Sequence, residues 1–310
     1  MLMLLIILVA ALVLLGCLAG PLLDRLRPSG AHPATALWCW LGALAGTFIA
    51  AAGTISISLL WPPTPGHGFV EWLRGCLPHH PTAAMVLAGL AGLPLAWLCA
   101  ARLARGVPRL RRALRHRRDH REMLHMVARE DAEHPDVLLL DHPVPVAYCL
   151  PSRWRPIVLS TGAREALTDG ELQAVLEHER AHLRQRHHAL LLLLDAGHAL
   201  LPWLPTVRRA RARVPVLLEL AADDAAVRTA GSRTLAGALR RMAATPRFAG
   251  ALGASGREPG TLEWRLARLE GAARRPRRLG RPVAWTLSAC ATALPLLATV
   301  TALGRLVVAC

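Results

Sequence analysis

The sequence predicts a mainly α-helical membrane protein in which four transmembrane helices carry an α+β domain between the third and the fourth. Its 310 residues are 53% hydrophobic with a mean hydropathy of +0.34, which is too apolar for an ordinary soluble domain. Long apolar runs stand in the first hundred residues and again near the end. The stretch between them combines short β-type runs with helical periodicity, and it is long enough to fold as a domain.

Four apolar runs are long enough to cross a bilayer, which takes about 20 residues of helix. They cover residues 2–19, 34–61, 82–101 and 283–304. The first run has no basic residue before it and no convincing cleavage site after it, so we expect a retained span and not a signal peptide. The predicted organisation is three spans in residues 1–104, the inserted domain in residues 105–281, and the fourth span with a short C-terminal tail in residues 282–310.

Positive charge predicts the orientation of the chain. All 37 basic residues are Arg, and 14 of them form two clusters, in residues 102–121 and 274–281, at the two ends of the inserted domain. Because loops rich in basic residues stay in the cytoplasm, we expect the domain to be cytoplasmic. The N-terminus, the Pro-rich loop of residues 62–81 and the C-terminus then lie outside. The protein is therefore expected to be a multi-pass protein of the bacterial cell membrane, in contact with the lipid bilayer.

The formal net charge of +16 also suggests nucleic acid, but the sequence argues against it. The Arg clusters adjoin apolar spans, only one Tyr and three Phe are present for base stacking, and we find no recognisable binding motif. No direct binding of nucleic acid is therefore expected. The seven Cys include no C-x-x-C pair, which excludes a cysteine zinc cage and leaves them as small apolar residues.

The inserted domain begins with three short apolar runs and continues as helices. The runs are predicted strands because they are short, apolar and separated by Pro-containing turns. They cover residues 137–140, 146–150 and 156–160. The predicted helices cover residues 162–167, 171–196, 216–229, 234–244 and 261–273.

The second of these helices carries the pattern His-Glu-x-x-His at residues 178–182, which is typical of zinc sites. A capping box formed by Thr168 and Glu171 predicts where this helix begins. Within it, the i, i+4 spacing places the imidazoles of His178 and His182 on one face. Glu179 lies beside them, where its carboxylate can act as a general base.

A catalytic zinc site needs a third protein ligand, and Glu219 is the best candidate. Asp223 lies one helical turn later, where it could accept a hydrogen bond from a ligand histidine, although Asp224 could take that role instead. His188 is a rival ligand, but its geometry requires the chain to turn back at Gln185, where the sequence predicts an uninterrupted helix. We therefore expect a zinc site of His178, His182 and Glu219, and we expect His187, His188 and His198 to be ordinary polar positions of a long helix.

A peptide could bind beside this site by adding a strand to an exposed sheet edge. The run just before the helices is the best candidate edge strand, because it leads directly into the predicted site. Its residues are Pro156, Ile157, Val158, Leu159 and Ser160. The same apolar residues would equally well form buried core.

Four segments resemble bacterial membrane zinc peptidases of the gluzincin type. They are residues 147–151 (Ala-Tyr-Cys-Leu-Pro), 158–162 (Val-Leu-Ser-Thr-Gly), 171–182 and 219–223 (Glu-Leu-Ala-Ala-Asp). The number and placement of spans resemble the BlaR/MecR-type family of β-lactam sensor-transducers and antirepressors, and the HtpX-type family of prenyl-protease and heat-shock membrane peptidases is the near alternative. The resemblance implies a gluzincin-like fold, with one Zn²⁺ per chain held by the ligands named above, Glu179 as the catalytic base and Asp223 as the orienting carboxylate.

The resemblance also implies an activity. A BlaR/MecR-type protein would cleave a cytoplasmic or membrane-associated protein, such as a transcriptional repressor in a signalling pathway. An HtpX-type protein would degrade damaged membrane proteins, and a third alternative is a non-proteolytic signalling protein with a structural zinc. Familiar BlaR/MecR-type members continue into an extracellular penicillin-binding domain, whereas this sequence stops at Cys310, so the resemblance does not extend to antibiotic sensing. The oligomeric state does not follow from the sequence.

Overall fold

A computed structural model describes residues 2–25, 33–60, 83–150, 157–243, 261–271 and 281–309. These residues are mostly helical, with one small sheet. Two features used for the predicted orientation, the loop of residues 62–81 and the Arg cluster of residues 274–278, lie outside the described residues.

The elements are numbered here in chain order. The first helices are α1 (Leu2–Val13), a π-helical segment (Leu14–Ala19), α2 (Gly20–Arg25), α3 (Pro33–Leu60) and α4 (Ala83–Val127). The strands are β1 (Arg129–Glu130), β2 (Val137–Leu140), β3 (Ala147–Cys149) and β4 (Ile157–Ser160). The later helices are α5 (Thr161–Ala166), α6 (Asp169–Arg184), α7 (His187–Leu200), α8 (Pro205–Ala230), α9 (Ser232–Ala243), α10 (Thr261–Leu269) and α11 (Arg281–Ala309).

The four strands form one sheet in the order β1-β2-β4-β3. β2 and β4 are parallel, with Val137 opposite Ile157, whereas β3 is antiparallel to β4, with Cys149 opposite Ile157. All four residues of β4 are buried. The prediction of an edge strand at Ile157, Val158, Leu159 and Ser160 is therefore wrong, because this run of apolar residues pairs on both sides, as buried strands do. Pro156 lies outside the described residues, and the edge strand nearest to α6 is β3.

Among the described residues, three helical stretches are long and apolar enough to cross a membrane: Met3–Arg25, Pro33–Leu59 and Pro282–Arg305. They coincide with the first, second and fourth predicted spans. The residues of the third predicted span are helical from Ala83 onward, as part of the 45-residue helix α4, and this helix is not among the three. The count of four spans therefore stays a prediction, and the predicted boundary at residues 104 and 105 falls inside one helix.

Contacts within the bundle give the relative directions of its helices. A Cβ on Gly53 of α3 would lie close to Leu8 of α1, and one on Gly46 close to Leu15, so the first span runs antiparallel to α3. The rings of Trp38 and Trp285 lie 4.6 Å apart at the start of α3 and of α11, which run in the same direction. The end of α2 and the starts of α3 and α11 therefore lie at the same end of the bundle.

The inserted domain docks at that end of the bundle. One cluster of buried apolar side chains joins α3 to the helices α7 and α8 of the domain. Its members are Leu37, Trp40, Leu44, Ala51, Leu194, Leu201, Leu204, Val207, Ala210, Val214, Leu217, Leu218 and Leu220. Because this core is continuous across the junction, the height of α8 relative to the spans is fixed by packing.

Candidate metal centre

Helix α6 begins where the sequence predicts. The Thr168 hydroxyl accepts from the backbone N–H of Glu171 at 3.4 Å, and the Glu171 carboxylate accepts from the backbone N–H of Thr168 at 3.0 Å. The predicted capping box is thus confirmed. Two and a half turns later, the same helix presents His178 and His182 on one face.

The predicted continuation of this helix to residue 196 is wrong. α6 ends at Arg184, and Arg186 has a left-handed backbone with φ of 53° before α7 begins at His187. Neither Gly nor Pro marks this break in the sequence. Contacts of the side chains after the break offset the unfavourable φ, because His187 is buried against the motif helix.

Helix α8 brings Glu219 to the two histidines. Where α6 packs against α8, the contact is made by Ala181, Ala222 and Ala225, all of which are buried. Alanine has only a methyl group, so the two helix backbones can approach closely at this point. The carboxylate of Glu219 therefore reaches the histidine face of α6.

The three side chains converge at distances that suit a metal ion. The Nε2 atoms of His178 and His182 lie 3.1 Å apart, and the oxygens of Glu219 lie 3.5 Å from the first and 3.6 Å from the second. Zinc ligands at about 2.0–2.2 Å in tetrahedral geometry are separated by roughly 3.3–3.5 Å. Within the described chain, these residues form a group whose ligand atoms all lie within 4.8 Å of one another.

Asp223 lies behind His178. Its buried carboxylate is 3.1 Å from Nδ1 of that histidine, so it can hold the Nδ1 proton and turn Nε2 toward the metal position. Asp224 instead pairs with Arg268 at 2.7 Å. The sequence left open whether Asp223 or Asp224 orients a ligand histidine. In the structure, Asp223 is the carboxylate that lies next to one.

His187 lies behind His182 in the same way, although the sequence suggested no role for it. Nδ1 of His187 is 2.8 Å from Nδ1 of His182, and Nε2 of His187 is 3.1 Å from Oε1 of Gln185. With the Gln185 oxygen as acceptor, Nε2 of His187 donates to it and Nδ1 of His187 can accept from Nδ1 of His182. In this arrangement of hydrogen bonds, Nε2 of His182 is unprotonated, and its lone pair faces Nε2 of His178. Sequence patterns contain no signal for the contact between His187 and His182, because this contact depends on the break at Arg186.

The charge balance of the site calls for a cation at its centre. Burial would lower the pKa of His178, but the carboxylates of Asp223 and Glu219 outweigh burial and raise it to about 9. Burial and the neighbouring His178 lower the pKa of His182 to about 3. Burial would raise the pKa of Glu219, yet the hydrogen bond with His178 holds it well below its usual range. Two histidines beside buried carboxylates, with their ligand atoms within 4.8 Å of one another, fit a divalent metal ion.

Arg265 of α10 is a further residue that sequence reasoning missed. Only 3% of its surface is exposed. Its guanidinium donates to Asp223 at 2.8 and 2.6 Å, and Nη1 lies 3.0 Å from Glu219. Nothing distinguishes this arginine from the others in the sequence. It balances the two buried carboxylates and fixes them relative to each other.

Cys149 connects the edge strand β3 to the site. Its thiol lies 3.1 Å from Nε2 of His188, and burial together with the adjacent Glu179 raises the pKa of the thiol well above its ordinary range. The thiol therefore stays protonated beside Glu179, where a hydrogen bond to that carboxylate contributes to the raised pKa. His188, the rival ligand, lies against this strand and not in the metal-binding group.

Comparison with known proteins gives one family. The model of peptidase family M48 matches residues 113–213, about a third of the chain. The match includes the His178–His182 motif but ends before Glu219, so the third ligand rests on geometry. Curated proteins and solved structures give no significant match. The family match indicates a metallopeptidase domain that hydrolyses peptide bonds, and the three apolar helices indicate a membrane-associated protein.

Proposed function

We propose that this protein is a zinc-dependent membrane endopeptidase whose zinc is held by His178, His182 and Glu219. The observation that carries the proposal is the convergence of these three ligand atoms from two packed helices within 4.8 Å. Zinc bound there would act as a Lewis acid on the scissile carbonyl and lower the pKa of a water molecule. The match to a metallopeptidase family and the fit of the ligand distances support this choice of metal and reaction.

The side chains around the ligands have separate tasks. Glu179 takes the proton of the attacking water and returns it to the leaving amine nitrogen. Asp223 and His187 hold the two ligand histidines in the tautomers that present Nε2. If a peptide binds by strand addition, it would use β3, because β3 is the edge strand next to α6.

The substitution Glu179→Gln tests the proposal. We expect the purified variant to keep one zinc per chain and to lose proteolytic activity by about 10²- to 10⁴-fold, because the amide cannot accept the proton. Glu177→Gln is the matched control, since Glu177 lies on the same helix but pairs with Arg180 and Arg184. Metal content and peptide cleavage are measured on the wild type and both variants. Absence of zinc from the wild type, or full activity of Glu179→Gln, would contradict the proposal.

Comparison of Glu179→Gln with His178→Ala separates a peptidase from a non-proteolytic signalling protein with a structural zinc. A structural zinc would let Glu179→Gln support the cellular phenotype in full, whereas His178→Ala would abolish it. An enzyme requires both residues. We propose the enzyme because Glu179 lies beside the ligands with its carboxylate against the edge strand.

Substrate and topology follow as further parts of the proposal. We place residues 105–281 in the cytoplasm and both termini outside, because Arg-rich segments flank the domain. The substrate would then be a cytoplasmic or membrane-associated protein, either a repressor cleaved in signalling or a damaged membrane protein. Capture of bound proteins by Glu179→Gln in cells distinguishes these two classes. Reporter fusions after Arg118 and after Cys310 should report opposite sides of the membrane.

A further inference from the structure

Helices α7 and α8 form a hairpin whose tip packs between the spans. The tip comprises residues 201–204, which join the end of α7 to the start of α8. Leu201 and Leu204 are buried in the cluster shared with α3. A Cβ on Gly16 of the first span would lie 3.1 Å from Leu204, and one on Gly197 of α7 would lie 2.7 Å from Phe48 of α3. The tip is thus embedded among residues of two apolar helices that can cross a membrane.

Polar contacts beside the tip fix it to the first span. The backbone N–H of Gly20 donates to the Thr206 hydroxyl at 2.8 Å, and that hydroxyl donates to the carbonyl of Leu15 at 2.6 Å. Gly20 permits this approach, since a Cβ there would lie 2.6 Å from the Thr206 backbone. Thr206 is fully buried, and its hydroxyl makes both of these hydrogen bonds with the span.

Two ion pairs at the end of the first span indicate how far the tip lies from the membrane surface. Asp24, at the end of the first span, pairs with Arg209 at 3.1 Å and with Arg213 at 3.0 Å. Gly16, which contacts the tip, precedes Asp24 by eight residues, or about 12 Å of helix. The hydrocarbon core is about 30 Å thick, so a tip at this depth stays within one leaflet. The guanidinium of Arg102, which follows the third predicted span, lies 6.0 Å from the centroid of the Trp203 ring in the tip.

The outer face of α7 is apolar and exposed. Ala189, Leu193 and Ala196 follow one another at helical spacing and are all exposed, with 68% of Leu193 accessible. This stripe runs along α7 toward the tip. Beside the stripe, Asp195 of α7 pairs with Arg211 of α8 at 3.3 Å, and Arg208 of α8 is exposed, so its long side chain can reach anionic headgroups.

We propose that α7 and α8 form a re-entrant hairpin that enters one leaflet of the bilayer, with the outer stripe of α7 in contact with lipid acyl chains. The contacts with Gly16 and Phe48 place the tip among the spans, and the Asp24 ion pairs place the base of the hairpin at the headgroups. The hairpin thereby seats the domain on the membrane at a fixed height. This inference concerns lipid contact alone and does not depend on the proposed catalytic activity.

Nitroxide labels at residues 189, 193 and 196 test the hairpin. The full chain, made free of other cysteines and checked for unchanged thermal unfolding, is reconstituted in vesicles of phosphatidylcholine and phosphatidylglycerol. Collisions with oxygen, which enters the bilayer, are compared with collisions with a water-soluble nickel chelate. We expect depth to increase steadily toward the tip, by up to about 10 Å between residues 189 and 196.

Two control positions calibrate the measurement. Leu297 on α11 is 61% exposed on a candidate span, and Arg233 on α9 is exposed on the domain. Labels at 193 and 196 should resemble the one at 297. Access of the nickel chelate equal to that at 233 would place α7 in water and overturn the proposal. Low access of both reagents would show that protein covers the stripe, which would overturn lipid contact equally.

Discussion

At the scale of single residues, the site depends on which ring nitrogen carries the proton. Asp223 and His187 each lie on the Nδ1 side of one ligand histidine, and the two Nε2 atoms face each other. These nitrogens are 3.1 Å apart beside the Glu219 carboxylate, close enough for all three groups to bind one cation. The residues behind the ligands thus favour metal binding by fixing the orientation of the two rings.

Removal of His187 should weaken zinc binding. We expect His187→Ala to raise the zinc dissociation constant by about 10- to 100-fold, because His182 loses the acceptor that fixes its tautomer. Competition with a chelator of known affinity measures the change. His198→Ala, on the same helix but near the hairpin tip, is the control. His187→Asn should recover part of the affinity because its side-chain oxygen can accept, and unchanged binding by His187→Ala would refute the role.

Arg265 should matter for stability as well as for the site. Arg265→Gln leaves two buried carboxylates without their counter-charge, so we expect a loss of about 3–5 kcal/mol in the free energy of unfolding of the metal-free protein. Arg268→Gln is the matched control, because its pair with Asp224 is partly exposed and contributes at most about 1 kcal/mol. Thermal unfolding in detergent compares the two. Equal losses of unfolding free energy in both variants would show that the buried contacts of Arg265 contribute no more to stability than the partly exposed pair of Arg268.

At the scale of elements, two helices determine the site, and each is positioned by local chemistry. The capping box fixes where α6 begins, and small alanines fix how closely α8 approaches it. β3 adds the edge strand and brings Cys149 to Glu179. The third ligand is therefore positioned by packing between helices and not by the motif.

Loss of the cap should destabilise α6. We expect Thr168→Ala to cost about 1 kcal/mol of unfolding free energy, because one N–H of the first turn loses its acceptor. Thr229→Ala is the control, since that hydroxyl bonds within its own helix. The apparent melting temperature in detergent measures both, and an unchanged value for Thr168→Ala would argue against the cap.

The carboxylate of the cap adds a dependence on pH. Burial would raise the pKa of Glu171, but its hydrogen bonds with Thr168 and the charge of Arg241 outweigh burial and lower it from 4.5. A lowered pKa in the folded state stabilises the protein above pH 4.5, and that contribution disappears as the pH falls through the lowered value. The difference in unfolding free energy between wild type and Glu171→Gln should therefore decrease as the pH falls below 4.5.

At the scale of the whole molecule, docking of the hairpin sets the distance from membrane to site. Arg213 pairs with Asp24 at the base of the hairpin, and Glu219 follows it by six residues, or about 9 Å along α8. An extended substrate covers about 3.3 Å per residue. With the base of the hairpin at the headgroups, as proposed above, the metal position lies about three residues from the edge of the hydrocarbon.

Membrane-anchored substrates should be cut close to the bilayer. This prediction rests on both the proposed activity and the re-entrant hairpin. A model substrate with one span and a cleavable juxtamembrane segment should be cut within about five residues of the span. The same segment moved fifteen or so residues away should be cut much more slowly, and mass spectrometry of the products locates the bond. Equal rates of cleavage at both distances would show that the membrane does not determine where the site cuts, and would contradict the prediction.

The sequence by itself determined the features that depend on local spacing. Helical periodicity and capping chemistry predict α6, the shared face of His178 and His182, and the pairing of Glu219 with Asp223 on one helix. These relations act over one or two turns, so neighbouring residues suffice to define them. The three described spans follow in the same way from continuous apolar composition.

Only the tertiary structure decided the relations between distant residues. It placed β4 inside the sheet and β3 at its edge, broke the predicted long helix at Arg186, and brought Arg265 to Asp223. Each depends on packing between segments far apart in the chain, where no periodic pattern records the partner. The depth of the hairpin has the same origin, because a buried apolar helix and a membrane-embedded one have similar composition.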